Sequence, residues 1–569
     1  SEHVKLNAAL ALGKIGTAAV QPATRALASE NASERYYAVW TLGLIGPPAK
    51  DAASAVIARL ADKDDSVRRK AAYALGRITP DATSAIPPLV KALADTNNDV
   101  RQAASDALAK FGADAVMPLT QALKDDQGLI RIEAARALGN VGPEAKDAVQ
   151  ALAGLLPSID AKESTVAAEA LAKIGKASIP VLTEAVKAEQ AVVRARATQA
   201  LGKIGVDAVP ALLEALSNPN ADVRVAAAQA LTPMRISDKL VVLALAHNVH
   251  DAERNVRQAA LQALQQLGSG AKPAAPKLIA ALKIPDDGTR EQVLQVLQVI
   301  ATEPDKAIMN AAAGLVNDPT PRVRQLAMNV LGNQGHDALP HIIQGLKDSD
   351  TNVRFTALNA LQRIPGDISE ALSAVLPMLK DKNKFARRPV ILVLGRMGAP
   401  AVPSLLDVLK EPDNFARSSA VEALRAIGPD AKKAVPTLTE LALQDNYVLV
   451  RRNAIGAVGA IEPEKLRDLF DRVKKLESES ARLTAYQGLY YKVGKFGGSS
   501  TLPAKVAVPY LIEAARDSSA NIRLLATQGL GSFGPQAKDA EAVLTKLLDD
   551  GDMRVRTQAK IALTQIKGS

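Results

Sequence analysis

The sequence predicts an all-α protein, an α-solenoid in which about 17 helix pairs and a terminal half repeat form a right-handed superhelix. The first observation is an arginine that recurs about every 32 residues between Arg35 and Arg556. The second is an apolar stripe at helical spacing in each half of the period. The third is that no segment alternates apolar and polar residues for long, so no sheet is expected.

The recurring arginine sets a frame for the whole chain. Lys5 takes the first frame, and Ala167 is assigned to an internal frame that lacks the arginine. The arginines of the remaining frames are Arg35, Arg68, Arg101, Arg131, Arg194, Arg224, Arg257, Arg290, Arg324, Arg354, Arg387, Arg417, Arg451, Arg482, Arg523 and Arg556. The uneven steps on either side of Ala167 predict a bend in the array there.

The clearest repeat covers residues 65–95. Its polar opening over 65–68 is typical of a helix N-terminus. Apolar residues from Val67 to Ile78 recur at helical spacing, which predicts one buried stripe. A turn follows, and a second helix is predicted to open at Pro87-Pro88, where a missing N–H costs little.

Two further signals recur with this repeat. First helices end in Leu-Gly-x-Ile-Gly or a close variant, as at 12–16, 42–46, 138–142 and 201–205. The second glycine ends the helix, and the first is expected to let a neighbouring helix approach closely. Second helices are predicted to open at Pro118, Pro180, Pro210, Pro276, Pro340, Pro377, Pro403, Pro436 and Pro509.

This pattern resembles the short HEAT repeats common in bacteria, of the kind also found in phycobilisome lyase-like proteins. The matching features are the Asp-Val-Arg openings at 99–101 and 222–224, the Leu-Gly-x-Ile-Gly helix ends and the proline of the second helix. The resemblance extends over the whole chain. It implies the α-solenoid fold, and a lyase for a prosthetic group remains an alternative that rests on this resemblance alone.

The repeating arginines are interpreted as structural. The series resembles the ladder of HEAT-like arrays, in which the arginine of one unit bonds to a polar side chain of a neighbouring unit. The planar fork of arginine can satisfy several acceptors at once. The expected acceptors stand two residues before an arginine, namely Asp99, Asp222, Asn255, Asn352 and Asn521. The predicted ladder consists of Arg68, Arg101, Arg131, Arg194, Arg224, Arg257, Arg324 and Arg354. The alternative is a basic stripe for phosphates, which would require these arginines to face solvent.

Composition limits the possible functions. Residues 1–569 are predicted to form one continuous array, with a loop insertion near 491–505. The chain has no cysteine, which excludes disulfides, thiolate metal sites and thiol nucleophiles. It has no apolar run of about 18 residues, so no membrane span is expected. Neither end has a polar capping unit, which suggests a trimmed chain or a mature fragment, and the compartment stays open between the cytoplasm and export.

Charge is unevenly distributed. The net charge is +10, and residues 351–505 contribute 24 Lys and Arg against 16 Asp and Glu. This basic bias favours an acidic partner, either a protein or a polyanion. It is weaker than the basic face of a dedicated nucleic-acid-binding protein.

The largest departure from the repeat lies between Arg482 and Arg523. Aromatic residues and lysines gather there in a chain that is only 3% aromatic, and Gly497-Gly498-Ser499-Ser500 predicts a loop. Insertions in repeat proteins often map to the binding face. With the basic segment near 380, this region supplies the predicted contact residues Lys380, Lys382, Lys384, Phe385, Arg388, Tyr490, Tyr491, Lys492 and Lys495.

Sequence motifs for catalysis, cofactor binding or metal binding are weak. The G-x-G-x-x-G match at 529–534 falls where other repeats end a helix, whereas a dinucleotide site needs a strand before it. His247 and His250 share a predicted helix face beside Asp251, which is interpreted as a surface feature rather than a metal site. Trp40 is the one tryptophan and lies far from the basic segment, which argues against a DNA glycosylase of similar fold.

The sequence therefore predicts a non-catalytic scaffold that docks another protein, one with an acidic surface, along a concave basic face, with no cofactor or metal. Sequence-independent binding of nucleic acid or another polyanion is the first alternative, and a lyase or chaperone for a prosthetic group is the second. The oligomeric state is left open.

Overall fold

The computed structural model describes residues 2–380, 384–489 and 502–567. These residues form α-helices, 3-10 turns and connecting loops, and no β-strand occurs among them. The chain divides into two compact units, Ser1–Ile300 and Ala301–Ser569. The predicted all-α class is confirmed, and each unit is an α-solenoid of stacked helix pairs.

The α-helices of the first unit are α1 (Glu2–Ile15), α2 (Val20–Ala26), α3 (Ala32–Ile45), α4 (Ala53–Ala58), α5 (Asp65–Ile78), α6 (Ala82–Ala92), α7 (Asn98–Ala109), α8 (Val116–Ala122), α9 (Gly128–Val141), α10 (Val149–Ala153), α11 (Ala161–Ile174), α12 (Ile179–Ala185), α13 (Ala191–Ile204), α14 (Val209–Ala215), α15 (Ala221–Leu231), α16 (Lys239–Asn248), α17 (Arg254–Gln266), α18 (Ala275–Ala281) and α19 (Asp287–Ile300).

The described α-helices of the second unit are α20 (Lys306–Ala313), α21 (Pro321–Leu331), α22 (Leu339–Gly345), α23 (Thr351–Arg363), α24 (Leu372–Val375), α25 (Lys384–Met397), α26 (Val402–Val408), α27 (Asn414–Ile427), α28 (Val435–Gln444), α29 (Val448–Ile461), α30 (Leu466–Val473), α31 (Glu479–Gln487), α32 (Ala504–Ala514), α33 (Ala520–Ser532), α34 (Glu541–Lys546) and α35 (Met553–Lys567).

The odd-numbered helices are the first helices of the repeats, and each packs on the first helix of the next repeat within its unit. Most share a 14-residue frame, as in α3 and α5, in which the recurring arginine is the fourth residue. In α11 the fourth residue is Ser164, so the assignment of the arginine-free frame to Ala167 is wrong. Gly175 follows α11 as Gly142 follows α9, which aligns the two helices. The steps around this frame are then nearly even, and the predicted bend loses its basis.

Local chemistry explains where the first helices begin and end. The Asp64 carboxylate accepts from the backbone N–H groups of Ser66 and Val67, which caps α5. Gly46 ends α3 at a φ of 73°, a region that favours glycine because it has no side chain. The expected role of the second glycine of Leu-Gly-x-Ile-Gly is therefore confirmed at this repeat.

Three predicted starts of second helices are wrong, those at Pro87-Pro88, Pro377 and Pro509. Pro377 lies in a 3-10 turn, Leu376–Lys380, that follows α24. α6 begins at Ala82 rather than at Pro87-Pro88, because Asp81 caps its first turn by accepting from the Ser84 N–H at 3.1 Å. The two prolines therefore lie inside α6, and Pro509 lies inside α32 in the same way. In α12, α14, α18, α22, α26 and α28 the predicted proline does lie at the start of the second helix.

The first glycine of the helix-ending motif allows close helix packing. A Cβ on Gly76 would lie 2.9 Å from the Cα of Ala107, and one on Gly139 would lie 2.8 Å from the Cα of Ala170. Because the opposing atoms are backbone, they cannot move aside as the end of a flexible side chain could. These glycines therefore set how closely successive first helices approach.

We expect Gly139→Ala to destabilise the first unit by about 1–3 kcal/mol through overpacking against Ala170. Alanine is intrinsically favoured over glycine in a helix by about 1 kcal/mol, so a net loss would show that the contact dominates. The measurement is the urea midpoint followed by far-ultraviolet circular dichroism. Gly128→Ala in the same helix is the control, since its nearest new neighbour is a guanidinium nitrogen of Arg131 at 3.4 Å. Equal midpoints for Gly139→Ala and the unsubstituted protein would contradict the prediction.

The repeating arginines join neighbouring repeats through carboxylates. In the pairs with the most complete geometry, Nε and Nη2 donate to both oxygens of one aspartate at 2.7–3.0 Å. These pairs are Arg35–Asp62, Arg68–Asp95, Arg224–Asp251, Arg324–Asp348, Arg417–Asp445 and Arg523–Asp550. The backbone carbonyl of the same aspartate accepts from the next arginine, as Asp62 does from Arg68 at 2.9 Å. Each such aspartate thus bridges two consecutive arginines.

The acceptor positions differ from those expected from the sequence. Each observed aspartate stands six residues before the next arginine, as Asp95 stands before Arg101, rather than two residues before it. Asp95 lies in the turn before α7, where it faces Arg68. Asp99 lies in the exposed first turn of α7 and is 3.6 Å from Arg69 instead. Side-chain direction across the repeat boundary, which the spacing does not reveal, accounts for the error.

The other predicted ladder arginines use different acceptors. Arg131 donates to Glu163, and Arg257 donates to Thr289 Oγ1 at 3.1 Å. Arg101, Arg194 and Arg354 donate Nη1 to the carbonyls of Asp95, Ala188 and Asp348 at 2.8–2.9 Å. The hydrogen bond from arginine to a backbone carbonyl is therefore the more regular contact, whereas the side-chain acceptor differs between repeats.

The ladder carboxylates predict a loss of stability in acid. Burial alone would raise the pKa of Asp62, Asp95, Asp251 and Asp348, but hydrogen bonds from arginine and from the backbone hold each pKa below its usual value. Carboxylates with a lowered folded-state pKa stabilise above the unfolded value of about 3.9, and this contribution is lost as pH falls through the folded pKa.

We therefore expect the urea midpoint to change little between about pH 7 and pH 5 and to fall steeply below about pH 4. Asp348→Asn, which cannot titrate, should start from a lower midpoint and show a shallower fall over the same range. A midpoint that rises on acidification, or equal acid slopes for the two proteins, would contradict this assignment.

Among the described residues, no single helix has both the length and the apolar composition of a membrane span. Pro389–Met397 and Ala399–Val408, which are bent by 110° at their junction, pass that test only as a pair.

Candidate functional site

The predicted contact residues lie mostly outside the described part of the chain. Lys382, Tyr490, Tyr491, Lys492 and Lys495 fall in undescribed segments. Lys384, Phe385 and Arg388 lie in α25, and their side chains are not described. Lys380 is described, and its Nζ lies 2.9 Å from Glu411 Oε2. The contact zone therefore stays a prediction, and its one described lysine already has a carboxylate partner.

The aromatic residues next to the predicted insertion belong to the core. Phe470 stacks on Tyr486 and on Tyr510, with ring centroids 5.1 and 5.0 Å apart. Burial raises the pKa of Tyr486 to about 12. These rings hold α30, α31 and α32 together; Phe470 and Tyr486 are buried, and Tyr510 is partly exposed.

A different group of aromatic side chains lies on the first unit, across α3 and α5. We call Tyr36, Tyr37, Trp40 and Tyr73 the aromatic cluster. The rings of Tyr36 and Tyr37 lie 6.1 and 5.9 Å from that of Trp40. Tyr73 is 41% exposed, and the other three rings are partly exposed. Partly exposed aromatic rings at this density are typical of a binding surface, because each offers large contact area at small cost in conformational entropy.

Lys70 lies among these rings. Its Nζ is 4.4 Å from the Trp40 ring centroid, 5.2 Å from that of Tyr73 and 5.4 Å from that of Tyr36. Burial, together with the nearby charge of Arg69, lowers the pKa of Lys70. Within the described chain no carboxylate lies at ion-pair distance from this ammonium group. Lys70 is thus a partly desolvated cation that only ring faces compensate.

A cleft of about 530 Å³ opens beside Lys70 between α5 and α7. Its charged and polar lining consists of Arg69, Lys70, Tyr73, Arg77, Asp99, Gln102, Asp106 and Lys110. Its two carboxylates already have partners, since Asp99 lies 3.6 Å from Arg69 and Asp106 accepts from Asn140 at 3.2 Å. Like Lys70, Arg77 and Lys110 have no ion-pair partner in the described part of the protein. The cleft therefore has an excess of unpaired positive charge beside aromatic rings.

The basic side chains continue along successive first helices. Arg77, Lys173 and Lys203 occupy the thirteenth position of the frame in α5, α11 and α13, and Lys110 holds the equivalent position directly after α7; in α9 the position is Asn140. We call these four residues the basic row. Lys203 is paired with Glu169 at 3.0 Å, and Lys173 donates to Asn140 at 2.9 Å. Because Lys173 and Lys203 already have polar partners, only Arg77 and Lys110 are assigned to the site.

The sequence contains signals for this site. The variable residue of the Leu-Gly-x-Ile-Gly motif is the basic-row position, and it is Lys or Arg in several repeats. Trp40 and Tyr73 stand one repeat apart at the ninth position of the frame. A position-by-position comparison of the repeats would have placed these residues on one face. The net charge of each segment instead favoured residues 351–505.

Other polar side chains contact one another between packed helices. Asn453 Nδ2 donates to Glu422 Oε1 at 2.8 Å and to Ser418 Oγ at 3.2 Å between α27 and α29. Burial raises the pKa of Glu422 although Arg425 is near. Because these groups bond to one another between packed helices, we interpret them as a structural link. His250 contacts the carbonyl of Lys277 at 2.9 Å, and the described residues hold no cluster of three or more potential metal ligands.

The fold and this exposed face define the class of protein as an α-solenoid whose surface is built from equivalent positions of successive repeats. The chain belongs to the HEAT-repeat family. The family model for HEAT repeats matches residues 20–109, 86–172, 160–232, 209–298, 308–388, 374–459 and 508–569.

The chain is also similar to particular proteins. It is 26% identical over 192 residues to the uncharacterized phycocyanin operon protein Z of Pseudanabaena tenuis (strain PCC 7409), a match that covers 32% of this chain and 92% of that protein. Among solved structures, Kap121p matches with 12% identity and a TM-score of 0.40 over 96% of this chain and 78% of that chain. Importin beta matches with 14% identity and a TM-score of 0.34 over 96% of this chain and 89% of that chain. At this level the structural likeness concerns the fold alone.

Proposed function

We propose that this protein is a non-catalytic scaffold that binds an acidic partner protein on the first-helix face of its first unit. By first-helix face we mean the exposed sides of the odd-numbered helices α1 to α19. The observation that carries the proposal is the position of Lys70, a partly buried cation among aromatic rings without a carboxylate partner.

The chemistry of the cleft favours a carboxylate from a partner. A carboxylate placed near Lys70 would gain a counter-charge in a partly desolvated setting, where electrostatic attraction is less screened than in water. Arg77 and Lys110 would extend the same attraction and steer an acidic surface toward the cleft. Trp40 and Tyr73 would supply the apolar contact area that commonly dominates binding energy.

The segment over 380–505 is proposed as a second contact zone. Its support is the charge bias of the sequence and the predicted insertion, whereas the ion pair of Lys380 with Glu411 weighs against that residue. A free lysine contributes more to a new ion pair than one that must first leave its partner.

The two zones can be separated by one experiment. An affinity capture from nuclease-treated lysate identifies a protein partner, and its affinity is then measured for two sets of variants. One set changes Trp40 and Lys70, and the other changes Lys382, Lys384, Arg388, Lys492 and Lys495 to alanine. Loss of affinity in the first set alone supports the cleft, and loss in the second alone supports the 380–505 zone. Unchanged affinity in both would refute the proposal.

Binding of nucleic acid or another polyanion predicts a different salt response. An affinity that falls steeply between about 50 and 200 mM salt, with a log-log slope of several units, is typical of phosphate contacts. A lyase or chaperone for a prosthetic group would instead yield a coloured preparation.

A further inference from the structure

We propose that the protein binds a carboxylate ligand at Arg194, where the ladder of arginine–aspartate pairs lacks its aspartate. The site lies at α12 and α14 and the turns that follow them, outside the cleft beside Lys70. The ligand is a free organic acid or the acidic side chain of a peptide, and it supplies the negative charge that an aspartate supplies in the complete pairs. The inference does not rest on the proposed protein-binding function.

Asn218 stands where the complete pairs have their aspartate, six residues before the next arginine, Arg224. It keeps the other two contacts of this position. Its Oδ1 accepts from the Asn220 N–H at 2.8 Å, and its backbone carbonyl accepts from Arg224 Nη1 at 2.8 Å. Asp95 makes the same two contacts at its own repeat boundary. This boundary therefore has the geometry of the ladder without its negative charge.

The amide of Asn218 does not satisfy Arg194. Because the amide oxygen accepts from a backbone N–H, the NH₂ group takes the place of the carboxylate oxygen that normally accepts from arginine Nε. Arg194 Nε is accordingly buried without a hydrogen-bond partner. Nη1 donates to the carbonyls of Ala188 and Glu189 at 2.9 and 2.5 Å, whereas Nη2 donates to no residue that the structure describes.

A cleft of about 540 Å³ opens beside this guanidinium group. Arg194 is partly exposed and lines the cleft together with Lys187, Glu214, Asn218 and Asn220. Glu214 is the one carboxylate of the lining, and Lys187 Nζ pairs with it at 3.0 Å. The lining thus has two cations and one carboxylate, and the cation without an ion-pair partner among the described residues is Arg194. A monoanion in the cleft would compensate its charge.

The contact to the ligand is assigned to Nη2, since Nε is covered. The guanidinium charge is delocalised, so an anion at Nη2 compensates the whole group. Charge-assisted hydrogen bonds from arginine are roughly twice as strong as neutral ones, which favours an anion over an amide or a water molecule. The side chains of Ser217, Asn218 and Asn220 line the same cleft and add uncharged donors. A carboxylate is the anion that the complete pairs of this array place at the equivalent arginines.

An incomplete ladder does not by itself make such a site. Arg451 has Leu476 at the position of the aspartate, and its Nε is also buried without a hydrogen-bond partner. Leucine offers no donor next to the guanidinium group, whereas Asn218 offers an amide next to Arg194. The proposal is therefore carried by three features together, the uncompensated arginine, the neighbouring amide donors and the cleft.

The test completes the ladder with one substitution. Asn218→Asp places a carboxylate oxygen next to Arg194 Nε, so it should form the pair that Asp95 forms with Arg68. We expect a higher urea midpoint for this variant and about tenfold or more weaker binding of an added carboxylate, because the guanidinium group already has its counter-charge. Asn310→Asp is the control, since it makes the same change in charge at an exposed asparagine of the second helix α20.

The probes separate the two sources of the carboxylate. They are propionate, an acetylated and amidated Gly-Asp-Gly peptide, the corresponding Gly-Asn-Gly peptide and inorganic phosphate, each titrated by calorimetry at constant ionic strength. Binding of propionate supports a free organic acid as the ligand, and binding of the Asp peptide alone supports a peptide side chain. The Asn peptide should not bind. Arg194→Gln should also abolish binding, and circular dichroism checks that its helices are intact.

The proposal would be overturned if neither carboxylate bound, if phosphate bound more tightly than both, or if Asn218→Asp bound them as the Asn310→Asp control does. Lys70→Gln separates this outcome from that of the proposed function. Loss of binding in Lys70→Gln but not in Asn218→Asp would assign the carboxylate to the cleft beside Lys70 and overturn the site at Arg194. Loss in Asn218→Asp alone supports the site, whether or not a partner protein depends on Lys70.

Discussion

Arg35→Ala is expected to lower the stability of the first unit by about 3 kcal/mol, because the buried Asp62 carboxylate loses its two-point partner and keeps only Arg59, whose Nη1 lies 3.4 Å from Asp62 Oδ2. In the structure Arg35 Nε and Nη2 each lie 2.7 Å from an Asp62 oxygen, and both side chains are almost fully buried. Removing one member of a buried pair leaves the other charge poorly compensated, which is more destabilising than losing the attraction alone. The urea midpoint and slope of the variant give the change in free energy of unfolding.

The companion variants separate pairing from packing. Asp62→Ala and the double variant complete a double-mutant cycle, in which we expect a favourable coupling energy of about 1–3 kcal/mol. Lys187→Ala is the matched control, since Lys187 pairs with Glu214 at 3.0 Å but both side chains are at least half exposed. Exposed pairs contribute about 0–1 kcal/mol. A loss for Arg35→Ala no larger than for Lys187→Ala would show that the ladder does not stabilise the array.

Trp40→Ala is expected to weaken binding of the captured partner protein about thirtyfold or more, and Lys70→Gln about tenfold. Trp40 provides the largest ring of the aromatic cluster, and loss of a central aromatic anchor typically costs at least about 2 kcal/mol. Lys70→Gln keeps a long polar side chain but removes the charge, so it should also flatten the salt dependence of binding. Unchanged affinity in both variants would contradict the assignment of the cleft.

The protein contains its own reporter for this experiment. Trp40 is the one tryptophan of the chain, so its fluorescence responds to a partner that covers the cleft. Titration of the unsubstituted protein should therefore shift the emission, and Lys70→Gln should require more partner for the same shift. Lys91→Gln, on α6 among the second helices, is the control and should titrate like the unsubstituted protein. Circular dichroism of each variant checks that the helices are intact.

The position of the site could have been predicted only in part. Comparing equivalent positions of the repeats groups Trp40 with Tyr73 and Arg77 with Lys110, because the period is visible in the sequence. That Lys70 lies over the Trp40 ring depends on the close packing of α3 and α5, where a Cβ on Gly43 would lie 3.1 Å from Ala74. The count of charged residues over 351–505 shows a basic excess. It does not show which of these residues are already paired, as Lys380 is with Glu411.

The sequence alone determined the all-α class, the helix pairs, the helix-ending glycines and the positions of most repeating arginines. These features follow from local causes, since the 3.6-residue period of apolar positions, the capping side chains and a glycine at positive φ each act within one helix. The tertiary structure decided which groups meet between repeats. Arg68 donates to Asp95 rather than to Asp99, and Lys70 lies among rings of two helices. Both contacts depend on how the helices pack, because packing sets the direction of a side chain across a helix boundary.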